Sequence, residues 1–383
     1  MISSIDSLIF DNYQEPFFTF RPGLLSNSVS KFINGFDGQV LYSVKTNPLE
    51  LVLKYIYQFG IKKFDVASIN EIKIIKNLFS DVEVYFMNPV KPRYAISEAY
   101  FKFGVRHFCL DSTDELKKII EETNFAKDLI LHLRIVVPNK FSKICLSEKF
   151  GVSFDQAPFL LRKMEKNSLK IGICFHPGSQ CMDVKGFSIG MKLANQIIEK
   201  SKVNVTYFNV GGGFPSVYQN MTPKDLNFYF KEINNFFAKI NKNKKMILVS
   251  EPGRSLVSEC MSLIVRVQLR KDDKLYINDG VHGSLRDAGK ANFAFPVTLI
   301  KEKQKNVFKI PFSFYGPTCD SNDFMKGPFY LPMNIEEGDY IEIRQMGAYS
   351  KTMQKKFNGF NFFDKTIIIN DEPQVINDEP QVK

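Results

Sequence analysis

QVLYSVKTNPLELVLKYIYQFGIKKFDVASINEIKIIKNLF, residues 39–79, is a short apolar run, an amphipathic stretch of helical period, a second short run and a second amphipathic stretch. Apolar runs of four to eight residues alternating with segments of period 3.6 are the mark of β-strands alternating with helices. The pattern continues as VEVYFMN (82–88) with YAISEAYFKFG (94–104), then RHFCLDS (106–112) with DELKKIIEET (114–123). Further apolar runs, LILHLRIV (129–136), KIGICFH (170–176), VTYFNVGGG (205–213) and KMILVSEPGR (245–254), bring the strand candidates to about eight. Eight parallel strands are what a closed barrel requires, so the reading is α/β, a (β/α)8 TIM-like barrel over residues 15–255.

Beyond residue 255 the character changes. VSECMSLIVRVQLRK (257–271), KLYINDG (274–280), PFSFYGPT (311–318) and GDYIEIRQMGAYS (338–350) are β-rich, broken by Gly and Pro, and nearly free of helical period. They predict a C-terminal antiparallel β domain over 256–368, with residues 1–20 joining it. INDEPQV stands at 369–375 and again at 376–382, acidic and Pro-containing. Such a tandem is too polar to pack, so 369–383 reads as a disordered acidic tail or linker, or as the approach to a further C-terminal domain.

Composition narrows the function. Lys plus Arg number 51 against 41 Asp plus Glu, a balance of +10, but the lysines are dispersed and the basicity reads as solvation rather than nucleic-acid binding. Six cysteines lie far apart with no Cys-x-x-Cys pair, and the start lacks a basic segment followed by an apolar run, so a reduced, cytoplasmic protein is expected. No stretch approaches 18 uninterrupted apolar residues, so no membrane span is expected, and no metal site is read.

Chemistry concentrates at strand ends, the face where barrels build active sites. Lys45 closes the first run; alone it would be a solvated surface charge or an amine held for covalent chemistry. Cys174-Phe175-His176-Pro177-Gly178-Ser179 places His176 and Ser179 past a later strand, and Gly211-Gly212-Gly213 follows the next. Glycines there let backbone N–H groups approach an anion, although a tight turn needs them too. Glu251-Pro252-Gly253-Arg254 ends another strand with a carboxylate and a guanidinium three residues apart, as an ordinary ion pair also would. An amine, an imidazole, an anion cradle with an arginine and a carboxylate on one rim match the needs of pyridoxal 5′-phosphate.

The motifs YSVKTN, KKFDVASINE, NPVK, LSEKFG, FHPGSQ, GGGFP, SEPGR, YGPTCDSND, GDY, MGAYS and FNGF occur in this order. From about residue 15 to 365 the chain resembles the alanine-racemase-fold (fold type III) pyridoxal-phosphate decarboxylases, the ornithine, arginine and diaminopimelate decarboxylases. The resemblance implies that Lys45 forms the Schiff base, Glu251 keeps the pyridine nitrogen protonated and His176 stacks on the cofactor. It implies that Ser179, Gly212, Gly213, Gly253 and Arg254 hold the phosphate, with Tyr349 closing over it, and that Asp65, Glu71, Arg134 and Lys149 support the site. It further implies a homodimer with shared active sites, in which Cys319 protonates the product and Asp320 meets the substrate across the interface.

The substrate reads two ways. Family members acting on diamino acids present acidic residues after the NDG motif, whereas here Arg286 and Lys290 stand among residues 278–292, with Asp287 the remaining acid. Arg286 and Lys290 would repel an ammonium and attract an anion. Either Asp287 keeps the acidic role and ornithine or lysine is the substrate, as in polyamine biosynthesis, or the substrate is an aminocarboxypropyl group on an anionic nucleotide or peptide natural product, as in antibiotic biosynthesis of the microcin C type. A racemase of the same fold should lack the GPTCD segment. A non-catalytic binding homologue should have lost cofactor contacts that this chain keeps.

Overall fold

The computed structural model describes residues 13–146, 149–243, 245–300, 307–360 and 363–370. Eight parallel strand segments form the barrel: residues 39–43, Lys63–Val66, Glu83–Phe86, His107–Leu110, Ile130–Arg134, Lys170–Cys174, Tyr207–Asn209 and Ile247–Ser250. The first is split into Gln39–Val40 and Tyr42–Ser43 around Leu41. Its first piece pairs with Ile247–Ser250 and its second with Lys63–Val66, which closes the ring.

Each strand is apolar toward the helices, as a covered sheet demands, while the inner face mixes apolar residues with polar ones such as Lys63, Asp65, His107 and His132. Phe64, Phe86, Phe108, Leu131, Ile173 and Phe208 face the surrounding helices, while Leu41, Tyr85, Cys109, Cys174, Tyr207 and Val249 form a separate inner cluster. Helices follow the strands at Glu50–Gln58, Ile69–Leu78, Arg93–Phe101, Thr113–Glu122, Ala157–Glu165, Lys185–Ser201 and Leu226–Ile240. Ser68 and Ser112 cap two of them, accepting from the backbone N–H of Glu71 and Glu115 at 3.2 Å each.

The barrel's N-terminal end is plugged by a polar chain. Lys63 pairs with Glu83, whose Oε1 lies 2.9 Å from His107 Nε2, and His107 Nδ1 lies 2.9 Å from His132 Nε2. His132 Nδ1 is buried without a hydrogen-bond partner among the described residues and faces Gly172, where a Cβ would sit 2.2 Å from it.

The second sheet runs in the order Val297–Ile300, Tyr340–Ile343, Met261–Lys271, Lys274–Ile277, Lys309–Tyr315 and Phe324–Pro332. It is mixed where the sequence reading was antiparallel: Lys274–Ile277 runs parallel to Lys309–Tyr315. Phe17–Phe20 pairs antiparallel with Met261–Lys271 and parallel with Thr366–Ile368. Met261–Lys271 shifts register between Val267 and Leu269, and the irregularity falls where the strand exchanges one partner for the next. Ile369 is fully buried and its N–H donates to Phe20 O at 2.9 Å, so the first copy of the repeat begins inside this sheet rather than after it. Residues 371–383, the remainder of the expected tail, lie outside the described residues.

Candidate active site

A cavity of about 450 Å³ opens at the C-terminal rim of the barrel, the size of a small-molecule site. Lys45, Asp65, Arg134, Lys149, His176, Ser179, Gly213, Glu251, Gly253, Arg254 and Tyr349 line it. They come from strand ends far apart in sequence, because strands that close a ring deliver their last residues to one rim.

Lys45 sits in the one-turn 3₁₀ segment Val44–Thr46 that follows Tyr42–Ser43. Its Nζ is 2.7 Å from Asp65 Oδ2. Burial pulls the amine's pKa down, but the charges of Asp65, Tyr349 and Glu251 more than reverse this and hold it above the ordinary lysine value. The amine is therefore an ammonium in the bare site. Ser43 Oγ binds the same Asp65 oxygen at 2.7 Å and lies 3.0 Å from Glu251 O, joining the first two strands to the last.

Glu251, at the end of Ile247–Ser250, is 5% exposed. Burial first, and then repulsion from Asp65, push its carboxyl up to about 7, against the attraction of Lys45 and Arg134. Asn209 donates to Glu251 Oε1 at 2.6 Å and accepts from Gly211 N–H at 2.8 Å, so one amide ties the acid to the glycine loop. His176 accepts at Nδ1 from Gly178 N–H at 3.1 Å, which leaves Nε2 to carry the proton of a neutral ring. Burial, then Arg134 and Lys45, hold its pKa well below the usual imidazole value, so the ring stays neutral.

The glycine loop is a cradle that side chains would fill. A Cβ on Gly212 would lie 2.5 Å from Glu251 O and 3.1 Å from His176 Nε2, and one on Gly213, whose φ is +90°, would lie 2.2 Å from Gly178 O. Beside it Arg254 is 5% exposed, donating to Tyr218 OH and to Asp287 Oδ2 at 2.9 Å each. Its Nε is buried with no partner among the described residues. A buried guanidinium with a donor to spare, next to a loop stripped of side chains, is suited to an anion. Tyr349 caps this corner: its N–H donates to Thr46 O at 3.0 Å, and its ring centroid is 5.0 Å from the Arg254 guanidinium carbon.

Glu71 supports the site from outside the cavity, accepting from Ala67 N–H at 2.6 Å. Six other expected residues do not line this cavity: Gly212, next to Gly213, and Cys319, Asp320, Arg286, Lys290 and Asp287. Cys319 and Asp320 lie in the exposed segment after Lys309–Tyr315 and do not line it. Arg286 and Lys290 are exposed and outside the lining, with Arg286 Nη1 resting 3.8 Å from Met353 Sδ. Asp287, a candidate for the substrate's ammonium, is instead bound to Arg254. Ser43, Asn209 and Tyr218 escaped the sequence reading, since what each touches is set by strands or loops some 20 to 210 residues away.

A lysine, a neutral ring, a buried acid and an anion cradle around one cavity fit pyridoxal phosphate, and the class is that of barrel enzymes built on this cofactor. The profile described as "pyridoxal-dependent decarboxylase, pyridoxal binding domain" matches residues 25–258, and the chain belongs to that family, with pyridoxal phosphate as its cofactor. It is 28% identical over 344 residues to a lysine/ornithine decarboxylase of Selenomonas ruminantium, covering 88% of this chain and 84% of that one. It is 29% identical over 346 residues to antizyme inhibitor 2 of Xenopus laevis, covering 83% of this chain and 73% of that one. The arginine decarboxylase of Paramecium bursaria Chlorella virus shares the fold at a TM-score of 0.84 and 22% identity, over 95% of this chain and 100% of that one. Among the described residues no helix is long and apolar enough to cross a membrane.

Proposed function

We propose that the protein removes the α-carboxylate of a free basic amino acid, ornithine or lysine, in active sites shared between two copies of the chain, in the reducing cytoplasm. The observation that carries this reading is a division of labour. The groups suited to hold the cofactor line one cavity, apart from Gly212 next to Gly213, while exposed Cys319 and half-buried Asp320 lie outside it. A second copy would complete the site.

Pyridoxal phosphate supplies the sink for the electrons left when the carboxylate departs. Lys45 would hold it through Nζ, with Asp65, 2.7 Å from that nitrogen, positioning the amine. Gly212, Gly213, Gly253, Ser179 and Arg254 would hold its phosphate, with Tyr349 beside them. His176 would pack against it as an uncharged ring. Glu251 would hold a proton at its pyridine nitrogen, a cationic neighbour that favours the ionised carboxylate. Arg134 and Lys149 keep the cavity cationic for the substrate's carboxylate. Cys319 then delivers a proton to the substrate's α-carbon, and Asp320 faces its distal ammonium.

The basic amino acid is favoured by the likeness to the lysine/ornithine decarboxylase of Selenomonas ruminantium and by Asp320, an acid beside Cys319 that a second copy would bring to the substrate's distal ammonium. The likeness to an antizyme inhibitor keeps a non-catalytic reading in play, but Lys45, His176, Glu251, Arg254 and Cys319 are all retained. The test is a mass-spectrometric panel with added pyridoxal phosphate: ornithine, lysine, arginine and diaminopimelate against an aminocarboxypropyl-phosphoryl nucleotide. Carbon dioxide lost from ornithine or lysine supports the proposal, and turnover of the conjugate alone overturns it. Colourless protein that the cofactor cannot reconstitute would speak for a binding protein; yellow protein whose colour Lys45→Ala abolishes would not.

A further inference from the structure

The FNGF segment and the histidine of NDGVHG have no role in the cavity, yet they converge on Cys319 and Asp320. Phe357–Gly359 forms a tight turn in which Asn358 takes a left-handed φ of +53°. In that conformation its Oδ1 accepts the backbone N–H of Cys319 at 3.1 Å. His282 Nε2 meets Asp320 Oδ2 at 2.8 Å, and the other oxygen, Oδ1, accepts from the backbone N–H of Asn322 at 2.9 Å and from its side-chain amide at 3.0 Å. The two supports are joined. The rings of His282 and Phe357 lie 4.9 Å apart, and Lys355 N–H donates to His282 O at 2.8 Å. The thiol residue is thus held by its backbone from one side and the neighbouring carboxylate by its side chain from the other.

We infer that Asn358 and His282 are positioning residues for the Cys319–Asp320 pair, Asn358 setting where the thiol delivers its proton and His282 aiming the carboxylate at the substrate's ammonium. The inference rests on the shared-site reading proposed above. The segment between the strands Lys309–Tyr315 and Phe324–Pro332 is anchored from inside by buried Asp323, which accepts from the N–H groups of Val281 and Thr318, while Cys319 and Asp320 on its outer side depend on the ties from Asn358 and His282. A proton donor displaced by an ångström loses catalytic rate steeply, whereas a carboxylate free to rotate loses affinity for its partner first. The two supports therefore have separable signatures.

The test uses the full-length enzyme loaded with pyridoxal phosphate. Asn358→Gly keeps the left-handed backbone and removes the acceptor, and Asn358→Asp keeps both. N358G is expected to lower kcat on ornithine or lysine about tenfold with KM little changed, and N358D to restore it. His282→Phe keeps the ring against Phe357 and is expected to raise KM about tenfold with kcat within about twofold, reversed in part by His282→Asn. The second readout is the rate of iodoacetamide alkylation at Cys319, followed by peptide mass so that exposed Cys145 is counted separately. It should rise in N358G and return in N358D. Unchanged alkylation and kcat in N358G, or equal shifts of kcat and KM in both variants, would overturn the inference. If the wild type turns over no diamino acid, the functional proposal fails, while the alkylation series still decides whether Asn358 holds Cys319.

Discussion

At the scale of single residues, Glu251 shows a site kept at a cost to the fold. Its raised pKa means that the bare folded protein binds its proton up to about pH 7, whereas an unfolded chain releases it near 4.5. Stability from this group is therefore lost as pH rises between those values. Glu251→Gln removes the penalty and the function together: at pH 8 the cofactor-free variant should melt above wild type, while its turnover with cofactor falls about a hundredfold or more. Calorimetry and steady-state kinetics on one preparation check both signs, and a variant that melts lower would refute the account. Lys45, His176, Glu251 and Arg254 were legible in the sequence because each stands just past an apolar run, and the barrel turns that local position into a shared rim. Asn209 was not: the hydrogen bond that matters reaches a residue 42 positions away, and nothing near it in sequence marks it.

At the scale of elements, the polar plug at the far end of the barrel sets how the fold meets acid. Burial overrides Glu83 in pulling the pKa of His107 down, and it pulls that of His132 well below the usual imidazole value. Glu83, although burial works against it, is held down to about 2 by His107 and Lys63. All three groups bind more protons unfolded than folded, so each withdraws stability as pH falls: the histidines below about 6.5, Glu83 between about 4.5 and 2. Asp279 and Glu251 run the other way from about pH 4 to 7, so the plug must be read as a difference between variants. His132→Leu should gain about 1–2 kcal/mol on wild type between pH 7 and 5, measured by denaturant unfolding at each pH. Gly172→Ala, whose Cβ would strike His132, should cost about 1–3 kcal/mol at every pH. The strands that carry this plug were legible as apolar runs, but nothing local marks which of their polar residues point inward and meet. The parallel pairing of Lys274–Ile277 with Lys309–Tyr315 was equally hidden, since β-rich segments without helices suggest hairpins, and partner choice depends on the whole sheet.

At the scale of the whole molecule, the proposed division of the site between two chains would make function a property of the pair. Lys45→Ala and Cys319→Ala chains, each inactive alone, should recover up to about a quarter of wild-type activity when mixed equally and allowed to exchange, because half the dimers are then mixed and each mixed dimer has one intact site. Exchange verified by mass with no recovery would count against shared sites. A single sequence could suggest this only through resemblance, because a site completed by a second copy would leave no local pattern to read. The pairing of Phe17–Phe20 with both Met261–Lys271 and Thr366–Ile368 has a further consequence, one that concerns synthesis. On the ribosome all eight barrel strands have been made by Ser250, yet Phe17–Phe20 has no partner until residues 261–264 appear, roughly 10–50 seconds after its own synthesis at 5–20 residues per second. Through that interval an apolar segment with open hydrogen-bonding edges waits in the nascent chain. Translation speed between residues 21 and 261 therefore becomes a determinant of yield: slow codons there lengthen the wait, and a chaperone that shields Phe17–Phe20 would shorten its exposure.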